Sequence, residues 1–130
     1  MLWAMKFLAL IFTFLVTSPA FAAPCPSHGV TMVRTELLFG AGRVGNTQWR
    51  SFLAHDVTPR FPKGLTVLDG YGQWKMPDGA IGRERSRVLL IWHAAGNDAD
   101  EKIDAIRDAY KTRFHQLSVM RVDSTNCVSF

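Results

Sequence analysis

From Thr31 to Phe39 the chain alternates in character, and Gly40 stops the pattern. That period of two is the signature of a β-strand. Val33, Thr35, Leu37 and Phe39 fall on one side and Arg34, Glu36 and Leu38 on the other, because successive strand side chains face opposite ways. The first set suits burial beneath helices. The second places two opposite charges near the middle of a sheet, where charge is costly unless paired or used.

Further along, the pattern changes period. Trp49, Phe52, Leu53 and Val57 recur at helical spacing, so a helix is expected over Thr47–Val57, with Asn46 or Thr47 as its N-cap and Thr58-Pro59 as its end. A second strand is expected over Leu65–Lys75 and a third over Arg83–His93. Pro77-Asp78-Gly79 supplies the turn between them. Ile103, Ile106, Tyr110 and Phe114 give the buried stripe of a second helix, Asp98–Phe114, whose Asp98 and Glu101 have the spacing of a capping box. A last strand begins at Ser118 and runs through Asp123, toward Phe130. Gly40–Asn46 is glycine-rich but lacks the residues of a phosphate-binding loop, and reads as a plain strand-to-helix connection.

The resulting order, β-α-β-β-α-β, predicts an α+β, ferredoxin-like domain: a four-stranded antiparallel-type sheet with two helices on one face. Right-handed crossovers put the first and third strands in the centre and the fourth beside the first. The end of the fourth strand then lies near the start of the first, which brings Cys127 to Cys25 and predicts a disulfide.

The N-terminus changes the picture of where the protein acts. Lys6, the apolar run Phe7–Val16, Ser18-Pro19 and Ala20-Phe21-Ala22 have the order of a signal peptide with an A-x-A cleavage site. The run is shorter than the ~20 residues of a spanning helix. Residues 1–22 are therefore assigned to a signal peptide and 23–130 to a single domain, periplasmic or secreted, with no membrane association after cleavage. A retained anchor is the alternative. Export also favours pairing of the two cysteines.

Charge excludes more than it identifies. The formal net charge is only +4, with Lys6 in the leader, which is too mild to imply nucleic acid. Arg85-Ser-Arg-Val-Leu-Leu-Ile91 also lacks the stacking aromatics that an RNA-binding sheet of this type carries on its third strand. His28, His55, His93 and His115 are scattered, none at metal-ligand spacing with a cysteine, so neither a metal nor a cofactor is expected.

Four stretches carry a resemblance: Arg34–Gly40, Thr58–Trp74, Arg83–Leu89 and Arg121–Asp123. Together they resemble the exported bacterial family catalogued as domain of unknown function 3574, over nearly all of the mature chain. The resemblance implies no activity, cofactor or catalytic residue. The cysteine pair is no part of it, so the disulfide rests on this sequence alone.

With two helices on one face, the other face of the sheet is left open. Alternation assigns Arg34, Glu36, Leu38, Arg85, Arg87, Leu89, Ile91, Val119, Arg121 and Asp123 to that face. Asp69, Tyr71 and Gln73 are placed with them, and Leu68 and Trp74 on the helix side, where Trp92 is also expected in the core. Three uses of such a face compete. Its charges can simply pair in solvent, worth ~0–1 kcal/mol per pair. Two copies can stack as a homodimer, with Arg34 of one against Glu36 of the other. Or an anionic small molecule can be gripped by Arg34, Arg85, Arg87 and Arg121, with Glu36 and Tyr71 completing the site. The expected function is binding of such an anion, or self-association, through the open face. The alternative is a periplasmic enzyme using Glu36, Tyr71 and Glu84 in acid–base chemistry.

Overall fold

The computed structural model describes residues 25, 26 and 28–130; the expected signal peptide lies outside them. Strand β1 (Val30–Gly40) leads into helix α1 (Asn46–Phe52), whose last turn widens into a π-helical stretch, Leu53–Val57. Strands β2 (Thr66–Lys75) and β3 (Ile81–His93) form the hairpin, helix α2 (Asn97–Phe114) follows, and β4 (Met120–Val128) closes the order. The four strands make one antiparallel sheet in the order β2-β3-β1-β4. This is the expected ferredoxin-like α+β arrangement, with β1 and β3 central.

The core forms where the helical stripes meet the inner face of the sheet. Thr35, Leu37 and Phe39 of β1 and Leu89 and Ile91 of β3 are buried against Trp49 and Phe52 of α1 and Ile103, Ile106 and Tyr110 of α2. Phe39 is the hub of edge-on aromatic contacts, with its ring 4.6 Å from that of Tyr110 and 5.3 Å from that of Trp49. Such geometry sets positive ring edges against negative faces, beyond the gain from burial. The Tyr110 hydroxyl donates to the carbonyl of Gly40 at 2.7 Å, tying α2 to the end of β1.

Both helix starts differ from expectation. In α1 the Gly45 N–H donates to the Gln48 side chain at 2.9 Å, which frees Asn46 to accept a hydrogen bond from Arg87. In α2, Gly96 at φ 145° precedes the first turn, and Asp98 pairs with Lys102 at 2.7 Å instead of capping. A glycine is required there because a side chain strains that conformation.

Cys25 and Cys127 form the expected disulfide, with their Cα atoms 5.4 Å apart. The route is the one the topology predicts: Cys127 pairs in register with Thr31 at the start of β1, and Cys25 sits beside Thr31.

Candidate binding face and the inner polar network

Cross-strand partners in an antiparallel pair point to the same side of the sheet. Register therefore decides which residues share a face. Leu37 pairs with Leu89 and Thr35 with Ile91, so these residues enter the core together. Arg85 and Arg87 share the phase of Leu89 and Ile91 and go to the helix side with them. Asp69 pairs with Arg87 and Tyr71 with Arg85, which carries Asp69, Tyr71 and Gln73 to that side as well. On β4, Leu37 pairs with Arg121 and Thr35 with Asp123, so these two, with the buried Val119, also face the helices.

Only Arg34, Glu36 and Leu38 lie on the open face as expected. Tyr71, Arg85, Arg87 and Arg121 do not. A shift of phase by one residue moves a whole strand from one face to the other, and β3 runs Val88-Leu89-Leu90-Ile91-Trp92, apolar in both phases. Leu68 and Trp74 move the opposite way, to the open face, and Trp92 lies there too, 41% exposed.

The open face is consequently largely apolar around its centre, with Thr66, Ser86, Ser124 and Asn126 toward its ends and edges. Leu68, Trp74, Met120 and Val122 are exposed on it, and Met32, Leu38, Val88 and Leu90 are half-buried. Near its centre the guanidinium of Arg34 meets the Glu36 carboxylate at 2.9 Å, and lies 5.9 Å from the Trp92 ring centre. At one end Glu84 turns over the end of β1 and accepts the Gly42 N–H at 3.1 Å. The carboxylate takes up the space that a Cβ at Gly40 or Gly42 would fill. Tyr71 stands 71% exposed on the opposite side of the sheet. Glu36, Tyr71 and Glu84 therefore form no common acid–base site.

The inner arginines are held in separate places. Arg87 is nearly fully buried, donates to Asn46 Oδ1 at 2.6 Å, lies 3.5 Å from Asp69, and covers the face of Trp49 at 4.9 Å. Its Nη1 has no hydrogen-bond partner among the described residues. Burial lowers its pKa despite the attraction of Asp69. Arg85 is exposed beside it, 3.7 Å from Asp69. Arg121 lies at the other end of the helix layer, paired with Asp100 of α2 and, at 2.8 Å, with Asp123. Burial opposes its charge, but these two carboxylates outweigh it and raise its pKa. With its charge already matched, Arg121 is poorly suited to anchoring an anion.

One arrangement escaped the sequence reading. The fully buried Thr35 hydroxyl donates to Asp123 Oδ1 at 2.5 Å and contacts His93 Nε2 at 2.9 Å, while His93 Nδ1 lies 2.7 Å from the carbonyl of Ala94. The single hydroxyl hydrogen is spent on the carboxylate, so Thr35 accepts from Nε2. The signal lay in β1: a threonine in the buried phase needs partners, and register supplies them from β3 and β4.

A family described as "Protein of unknown function (DUF3574)" matches residues 34–130. No curated protein matches the chain. Among solved structures it is similar to a phage SAM lyase in complex with S-methyl-5'-thioadenosine, at 12% identity and a TM-score of 0.56, over 85% of this chain and 97% of that one. It is also similar to CutA from Synechococcus elongatus, at 11% identity and a TM-score of 0.52, over 76% of this chain and 80% of that one. At such identities the likeness extends to the fold alone.

Proposed function

We propose that this chain, which belongs to the DUF3574 family, is an exported protein that self-associates by stacking the open face of its sheet on that of a second copy. One observation carries the reading: exposed apolar side chains flank a single ion pair on a sheet face that, among the described residues, no helix covers. Contiguous apolar surface of this kind marks an interaction site in soluble proteins. The ion pair points to a second copy as the occupant. Arg34 and Glu36 are two residues apart on a central strand, so a two-fold axis passing between them sets each arginine against the other copy's glutamate. Within one copy the half-exposed pair contributes little, ~0–1 kcal/mol; away from water the same charges specify register. Export is supported by the leader-like N-terminus and by the Cys25–Cys127 bridge, which suits an oxidising compartment.

Solution mass tests this directly. At about 100 μM, well above a micromolar Kd, the mature protein is expected at the mass of a dimer, and Val122→Asp, which places an unpaired charge in the contact, is expected to be monomeric. A monomeric parent protein would overturn the reading, as would a Val122→Asp variant with unchanged mass.

A further inference from the structure

We infer that the cleft between the end of β3 and the start of α2 is a binding site for a small anion, a carboxylate or phosphate, carried on a flat apolar ring. The cleft measures about 620 Å³ and lies between the Arg60–Gly64 loop and the Trp92–Ala99 segment. This is within the range of ligand pockets, which combine mostly apolar walls with a few convergent polar groups. Trp92 and Phe61 supply flat walls. Arg60 and Lys63 supply positive charge, while the one lining carboxylate, Asp98, is matched by Lys102 at 2.7 Å. Lys63 forms no ion pair among the described residues. Arg60 commits one edge of its guanidinium to the Asp56 carbonyl at 2.5 Å, which orders the side chain.

Two further features border the same space. His93 lines the cleft with Nε2 turned inward to Thr35 and Nδ1 beside the Ala94 carbonyl, so its ring adds a third flat wall. The first turn of α2, an 18-residue helix, opens at Gly96 beside the same space, and its unbonded amides carry partial positive charge. The flat walls select the ring and the cations select its charged substituent. The cleft shares Trp92 with the open face, but its cations Arg60 and Lys63 lie in the loop before β2, so calorimetry and solution mass test the two readings separately.

Calorimetric titration with phenyl phosphate, inorganic phosphate and benzyl alcohol tests the inference. Phenyl phosphate is expected to bind about tenfold tighter than either of the others, each of which offers only half of the chemistry. Exposed Lys63→Glu is expected to weaken phenyl phosphate about tenfold. Lys75→Glu, the same charge change on the far end of β2, is expected to leave it unaltered. No binding of phenyl phosphate in the millimolar range, equal binding of phenyl and inorganic phosphate, or equal loss in Lys63→Glu and Lys75→Glu would each overturn the site.

Discussion

At the scale of single residues, the inner face of the sheet concentrates polar groups that a core normally excludes. Arg87 is the sharpest case: a buried guanidinium over Trp49 with one good hydrogen bond, to Asn46. Removing the acceptor leaves a charged donor unsatisfied, so Asn46→Ala is expected to cost about 1–3 kcal/mol. Arg87→Met removes the buried charge together with its need for partners and is expected to cost less than ~1 kcal/mol. Urea unfolding of the two variants checks the order, and a larger loss for Arg87→Met would contradict it. Tyr110 makes a second case. Burial pushes its phenol from 10.0 up to about 12, with Arg87 opposing and Glu84 adding to the shift. The folded state therefore keeps a proton that the unfolded chain releases. Stability from this group is complete below about pH 10 and is lost as the pH rises toward about 12. Tyr110→Phe is expected to flatten that alkaline limb in urea midpoints measured across the range; an unchanged limb would assign it to other groups.

At the scale of elements, periods were legible and phases were not. Each helix stripe found its place, because Trp49, Phe52, Tyr110 and Phe114 leave the opposite helix faces polar and so have one way to pack. Strand β1 was equally clear, since Arg34 and Glu36 contrast with Leu37 and Phe39. Strand β3 offers no such contrast. Its Val88, Leu90 and Trp92 are as apolar as Leu89 and Ile91, and the phase is decided by pairing with β1, which is not written in either strand alone. The arginines of the expected site followed that decision to the other side of the sheet, and Arg121 followed the same logic on β4. The disulfide was legible for the converse reason, since it needs only strand order. Cys25–Cys127 ties the edge strand β4 to the lead-in of β1 across 102 residues. Its loss is expected to lower stability by at most ~4–5 kcal/mol in the chain-entropy account. Paired Cys25→Ser and Cys127→Ser substitutions, followed by chemical unfolding, measure it; a change below ~1 kcal/mol would show that strand pairing alone holds the end of β4.

At the scale of the whole molecule, the two sides of the sheet have separate characters. The helix side stores its charges in internal pairs and in the His93 network. The open side keeps one pair within an apolar surround, and that combination suits a partner carrying the same surface. Among the described residues no helix is long and apolar enough to cross a membrane, so the apolar patch is not part of a helical span. Reciprocal charge reversal tests the stacking most directly. Arg34→Glu gives a face with two negative groups and Glu36→Arg a face with two positive ones, so each variant repels its own kind and complements the other. The measurement is light-scattering mass of each variant alone and of an equimolar mixture. The account predicts monomers alone and dimers on mixing; variants that keep the parent's mass alone, or a mixture that stays monomeric, would contradict it.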